Sequence, residues 1–355
     1  MKAKILFLSC FIVAFLFLGS AAKDNFDFKV KVVPQTNNSA TSLTEMNKAA
    51  EVIKKRLINF FGISQENIKL DVTENQILLT LHNVDTSKIH LITNVITHNN
   101  KLELWETYEN PEIVGYLTKA NSLLRDLQTS DNTPKEVNQA KSDIIGKNDA
   151  KTSYVDTRKQ YSNHDPLFRI MGQRVTGTGQ LLPSCMIGVV DAKDTSQVNR
   201  YFKMDRIKAI FPKDLKFYWS SGPYKYDPSK TIYGLHAIKV TTKNNQAPLD
   251  GSAIISANVI AGSAKTDMKI GLTMDNDGAK TWARITKANI NRCIAVIYKG
   301  YVRSYPRVMS EITGGKTEIT GDFTFEEANE FVNILKSGEL PFNVKITEEQ
   351  TLNIK

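Results

Sequence analysis

The sequence predicts an α+β protein. Three observations carry that prediction: an alternating apolar stretch near the start, a capped amphipathic helix directly after it, and further interleaved strand and helix patterns without a solenoid repeat. Phe26 to Val33 (FDFKVKVV) is apolar at every second position, the period of a strand with one buried face. Ser42-Leu43-Thr44-Glu45 is a capping box, in which the Ser hydroxyl accepts from a free helix amide and the Glu reaches back. The helix keeps Met46, Ala49, Ala50, Ile53, Leu57 and Phe60 on one face, and Gly62 ends it. Ile68 to Val72 and Gln76 to Leu81 flank Glu74-Asn75 as a hairpin. Ser87 to His98 carries Ile89, Ile92, Val95 and Ile96 at helical spacing, and Leu102 to Thr107 (LELWET) reads as the closing strand. The order β-α-β-β-α-β is the split βαβ of a ferredoxin-like unit, expected over residues 26–108 as a base subdomain.

An irregular insert is expected over 109–232. Ile113, Leu117, Leu124 and Leu127 share one helical face. The polar stretch 128–166 buries too little apolar surface to offset its ordering entropy and is expected to be a mobile loop. Cys185 to Val190 and Leu215 to Trp219 read as strands, with a short helix capped by Asp194 between them. A second α+β region is expected over 233–347, as a head subdomain. It holds strands at Leu235–Thr241, Ala253–Ile260 and Met268–Thr273, and a helix from Asp277-Gly278. Cys293 to Tyr305 folds back at Lys299-Gly300 as a hairpin. Thr324-Phe325-Glu326-Glu327 is a second capping box, opening a helix that buries Ala328, Phe331, Val332 and Leu335. Residues 348–355 read as a tail.

Lys2 and Lys4, the apolar run Ile5 to Leu18 and the small residues Ser20-Ala21-Ala22 make a secretory signal peptide over 1–22. The run is about 14 residues, short of the roughly 20 that span a bilayer. An uncleaved anchor in the inner membrane is the alternative. No later stretch approaches a membrane span, so the mature chain is expected to be soluble and periplasmic. Cleavage lowers the formal charge from +9 by two. The basic residues are scattered. Their densest cluster, Lys54-Lys55-Arg56, reads as the solvated face of its helix, and no nucleic-acid-binding motif is present. Cys185 and Cys293 remain after cleavage, either as a disulfide or as two buried thiols.

No constellation for catalysis, cofactor or metal stands out. His82, His90, His98, His164 and His236 lack metal-motif spacing. Ser184-Cys185 has no nucleophile elbow, and Gly177-Thr178-Gly179 lacks the context of a phosphate loop. Glu326-Glu327 suits a helix N-terminus. Trp105 and Trp282 lie on elements with buried faces. Tyr224 and Tyr226 fall in a Pro/Gly loop, where exposed aromatics could grip an extended polypeptide or clasp their own domain.

Three blocks resemble the bacterial preprotein translocase subunit SecD. VIKKRLINFFG (Val52 to Gly62), QILLTLHNV (Gln76 to Val84) and LELWETY (Leu102 to Tyr108) are similar to its first periplasmic elements, the last in the form seen in fused SecD–SecF. Cys185 to Trp219 is a looser likeness. Ala237 to Pro341 is the fullest, with APLDGSAIISANV, DGAKTWARITKANI, AVIYKGYVRSYP and ITGDFTFEEAN. His82-Asn83 replaces the family's Pro-Gly, Asn291 a usual Gly, and Lys299 a common hairpin Asp. The family's LGLDLxGG motif is absent, and Phe342 to Lys355 is polar where that family continues into membrane helices. The resemblance implies a periplasmic base and head, the head and the closing part of the base lying in 233–347. It further implies that the chain binds unfolded or emerging preprotein, or docks on Sec translocon subunits as an accessory. Proton-driven transport by the chain alone is not expected, since such relays need ionisable groups inside the bilayer. A cell-envelope interaction protein reusing this fold outside export is the alternative.

Overall fold

The computed structural model describes residues 25–35, 41–97, 101–129, 157–162, 164–176, 178–262 and 268–353. The expected leader at 1–22, most of the expected loop at 128–166, His98 and Gly177 lie outside the described residues.

The chain runs β1 (Asn25–Pro34), α1 (Leu43–Phe61), β2 (Ile68–Val72), β3 (Ile77–Asp85), α2 (Ile89–Thr97), β4 (Leu102–Glu106) and α3 (Asn110–Thr129). Further along come β5 (Met171–Gly172), β6 (Met186–Asp191), α4 (Thr195–Lys203), α5 (Asp205–Lys208), β7 (Leu215–Trp219) and β8 (Ile232–Lys239). Then follow β9 (Leu249–Asp250), β10 (Ile254–Ile260), β11 (Met268–Met274), α6 (Asn276–Ala288), β12 (Ile294–Tyr298) and β13 (Tyr301–Ser304). The last elements are β14 (Lys316–Phe323), α7 (Phe325–Ser337) and β15 (Val344–Asn353). The fold is α+β, built on antiparallel sheets.

The first sheet has the order β15-β1-β3-β2, antiparallel throughout. The alternation of β1 buries Phe28, Val30 and Val32 against Met46, Ile53 and Leu57 of α1 and Ile92 and Ile96 of α2. Both arms of the α1 capping box form: Glu45 N–H donates to Ser42 Oγ at 3.3 Å, and Ser42 N–H to Glu45 Oε2 at 3.1 Å. Gly62 closes the helix at φ +63°, the left-handed region glycine enters freely. Asn83 (φ 61°) and Asn291 (φ 63°) also sit in that region. Asn is among the few side chains that tolerate it, which explains Asn at two places where Gly is usual in the resembling family.

The split βαβ order is present, but Leu102–Glu106 does not close it. The fourth strand is β15, so the expected tail at 348–355 is strand as far as Asn353. The reason is burial. β4 hides Leu102, Leu104 and Trp105, which suits an interior strand, and it lies inside the second sheet, β13-β12-β4-β9. β15 is exposed along most of its length and carries Lys345, Glu348 and Glu349, charges that suit an edge strand. Lys31 of β1 pairs with its Glu348 at 3.0 Å.

Arg56 is a second correction: it is buried rather than solvated. It lies three residues from Ile53 on the apolar face of α1, and its Nη1 donates to the Val95 carbonyl at 3.0 Å. Lys55 does face outward, and Lys54 is half-buried.

A third sheet, β10-β11-β14, packs with α6 and α7 around Ile270, Trp282, Phe323 and Phe331. Asn59 of α1 donates to Ser337 Oγ of α7 at 3.1 Å, tying this layer to the first. The fourth sheet, β5-β6-β8-β7, packs on α3 and α4 through Ile113, Leu117, Ile187 and Val198. β8 stands between β6 and β7, so the insert and the start of the last region share one sheet. The described end of the polar loop is held rather than free. Asp165 pairs with Arg125 at 2.7 Å, and Arg158 with Asp191 at 2.6 Å. Among the described residues, no helix is long and apolar enough to cross a membrane.

Candidate functional site

The loop between β7 and β8 separates the two tyrosines singled out from the sequence. Tyr224 is only 8% exposed, packed with Met186, Val189 and Ile232. Its N–H donates to the Ile232 carbonyl at 2.6 Å, and the Arg174 guanidinium lies 5.7 Å from its ring centroid. Tyr224 is therefore a clasp for its own sheet and offers no gripping surface. Tyr226 is 46% exposed, set edge-on to Tyr224 at 5.4 Å, with Lys225 Nζ 5.1 Å from its ring. Asp227 shapes the loop. Its carboxylate accepts from Ser229 Oγ and from the N–H groups of Ser229, Thr231 and Ile232. Burial alone would raise its pKa; these hydrogen bonds outweigh it and hold the carboxyl below its ordinary range.

A third aromatic lies beside this loop. Val302 of β13 bridges Ser220, and Ser221 N–H donates to the Val302 carbonyl at 2.9 Å. The neighbouring Tyr301 is 50% exposed. Sequence reasoning missed it, although the Lys299-Gly300 turn and the alternation of Tyr301-Val302-Arg303-Ser304 give the signal: the even positions are buried.

A second accessible feature is the outer edge of β2. Among the described residues no strand pairs with it there. Asn47, Ala50, Glu51 and Lys54 of α1 and Ile68, Lys69, Leu70 and Val72 of β2 line an open cleft of about 500 Å³. Unpaired edge amides beside half-buried aliphatic side chains are what an added strand uses.

Two polar clusters are buried instead. Cys185 Sγ lies 3.6 Å from His236 Nδ1, and His236 Nε2 lies 3.0 Å from Ser220 Oγ. No local spacing in the sequence announces this group. Burial pushes His236 down to about 3 and the Cys185 thiol well up, so the imidazole is neutral and that thiol keeps its proton. Against the second sheet, partial burial raises Glu339 to about 7, with nearby Asp250 adding to the rise and Lys101 opposing it. Burial likewise lowers Arg56 to about 10. Among the described residues no group of three or more His, Cys, Asp or Glu side chains could hold a metal ion.

Residues 231–342 match the family model of the SecDF P1 head subdomain. The chain is SecD-like. It is 33% identical over 168 residues to the protein translocase subunit SecD of Rhodothermus marinus, covering 47% of this chain and 26% of that protein. It is 39% identical over 115 residues to the SecD subunit of Sebaldella termitidis, covering 32% of this chain and 28% of that protein. The chain thus spans about a quarter of the length of these relatives. Among solved structures it is similar to SecDF in a super-membrane-facing form, with a TM-score of 0.49 and 17% identity over 92% of this chain and 30% of that one. It is also similar to a SecDF chain described as a membrane component that enhances protein export. That TM-score is 0.48, at 17% identity, over 90% of this chain and 98% of that one. Within the SecD-like region, Tyr301 and the half-buried Glu339 fall inside the matched head; Tyr226 falls just before it.

Proposed function

We propose that this SecD-like chain is an exported, non-enzymatic domain of the periplasm that binds unfolded or emerging preprotein or docks on the Sec machinery as an accessory. The observation that carries this reading is the head-subdomain match over 231–342, together with relatives named as protein translocase subunits. Two surfaces support it. Tyr226 is exposed on the β7–β8 loop and Tyr301 is exposed beside it, and flat aromatic faces suit a passing chain of any sequence. The open edge of β2 suits an extended segment, since main-chain hydrogen bonds are independent of side-chain identity. No proton-driven transport is assigned to the chain, and no nucleic-acid partner.

The test is photocrosslinking during export from a photoreactive residue at Tyr226 and, separately, at Lys69. Capture of an exporting polypeptide or a translocon subunit is expected at one of these sites. Capture of neither, with folding verified by circular dichroism, overturns the proposal. A deletion strain with normal secretion and an altered envelope would then point to an envelope interaction protein.

A further inference from the structure

We propose that Cys185 and Cys293 form a redox pair that closes into a disulfide, fastening the β6–β8 sheet to the start of β12. The two residues are far apart in sequence and meet inside a ring of strand ends. Thr107, just after β4, donates through Oγ1 to the Cys293 carbonyl at 2.6 Å and bridges Ile238. Ala237, next to Ile238, donates its N–H to the Cys185 carbonyl at 2.9 Å. Arg307 completes the ring: it bridges Cys293, and its Nη2 donates to the Pro183 carbonyl at 2.5 Å.

Within that ring both side chains are buried, and each acts on the ionisation of the other. Both cysteines are buried and unbridged. The pair is also asymmetric. The Cys185 hydrogen bond brings the Cys293 thiol down to about 7, with help from the Arg307 charge and against the effect of burial. Burial keeps Cys185 protonated. One thiol is thus poised to attack and the other to resolve. His236 Nδ1 and the Tyr305 ring, 4.7 Å from the imidazole, pack beside the pair.

The oxidant is an external disulfide, RSSR. The Cys293 thiolate attacks one of its sulfurs, the RSSR bond breaks, and one RS⁻ departs. Cys185 then loses its proton to a departing thiolate, attacks the mixed disulfide at Cys293 and expels the second RS⁻. The protein thiols give up two electrons and two protons, and RSSR leaves as two RSH. Access to the buried pair requires opening of the ring, so closure is expected during folding or slowly in the folded state.

The test refolds the reduced full-length chain in glutathione buffers of increasing oxidised fraction. Free thiols are then alkylated and the peptides mapped by mass spectrometry. The expected result is a Cys185–Cys293 linked peptide that accumulates as the buffer becomes oxidising. Cys185→Ser is expected to trap glutathione on Cys293 instead. Two alkylated thiols at the most oxidising ratio, or only glutathione adducts and pairs with Cys10, overturn the proposal. The wild-type arm decides the matter even where the variant fails to fold.

Discussion

Replacing Glu339 with Gln should flatten the pH dependence of stability. Glu339, between α7 and β15, is half-buried against the second sheet, near Asp250 of β9 and Lys101, with Arg56 of α1 also in reach. Its ordinary value of 4.5 rises to about 7 on folding, chiefly through burial. The folded chain therefore holds that proton more tightly than the unfolded chain does. The contribution is fully present below the unfolded value and is lost as pH climbs through the folded one. At 1.36 kcal/mol per tenfold the full span is at most about 3 kcal/mol. The carboxyl is only partly sealed from water, and the Arg56 charge favours its ionised form, so about 1–2 kcal/mol is the working figure. Gln cannot ionise. The variant should match wild type at about pH 4 and exceed it by about 1–2 kcal/mol from about pH 7 upward. Urea denaturation midpoints across that range, at unchanged m-value, measure the gap. A gap that is constant with pH, or that shrinks as pH rises, refutes the assignment of the buried carboxyl.

Truncating the chain before Val344 removes β15 and leaves β1 with a bare edge; the thermal transition should fall and broaden, and an unchanged midpoint would show that β15 is dispensable. Thr324→Ala removes the cap that accepts the Glu327 N–H at 3.2 Å and should cost about 1 kcal/mol in urea unfolding. Tyr224→Ala should lose about 3 kcal/mol as its packing against Met186 and Ile232 goes. Tyr226→Ala should stay within about 0.5 kcal/mol of wild type while reducing polypeptide crosslinks from nearby positions.

Several features could be read from local patterns because they are made by local contacts. Both capping boxes form, since donor and acceptor stand three residues apart. The alternation of β1 placed Phe28, Val30 and Val32 inward. Arg56 lies three residues from Ile53 on the apolar face, and there position outweighs charge because the Val95 carbonyl accepts from the guanidinium. Tyr224 and Tyr226 were alike as sequence. What parts them is the Asp227 carboxylate, which folds the loop so that one ring faces the sheet and the other faces water.

From residue order alone came the class of fold, the capped starts and glycine stops of α1 and α7, and the SecD likeness, whose fullest block at 237–341 lies within the matched span 231–342. These rest on periodicity, capping and motif order, all carried within short windows. Tertiary structure alone chose β15 over Leu102–Glu106 as the fourth strand, brought Cys185, His236 and Cys293 together, and set Glu339 half-buried beside Asp250. A strand pattern names a face but not a partner, and closing a longer loop costs only slightly more entropy. Which distant segments meet is therefore decided by which surfaces pack and bury best, and that is a property of the whole chain.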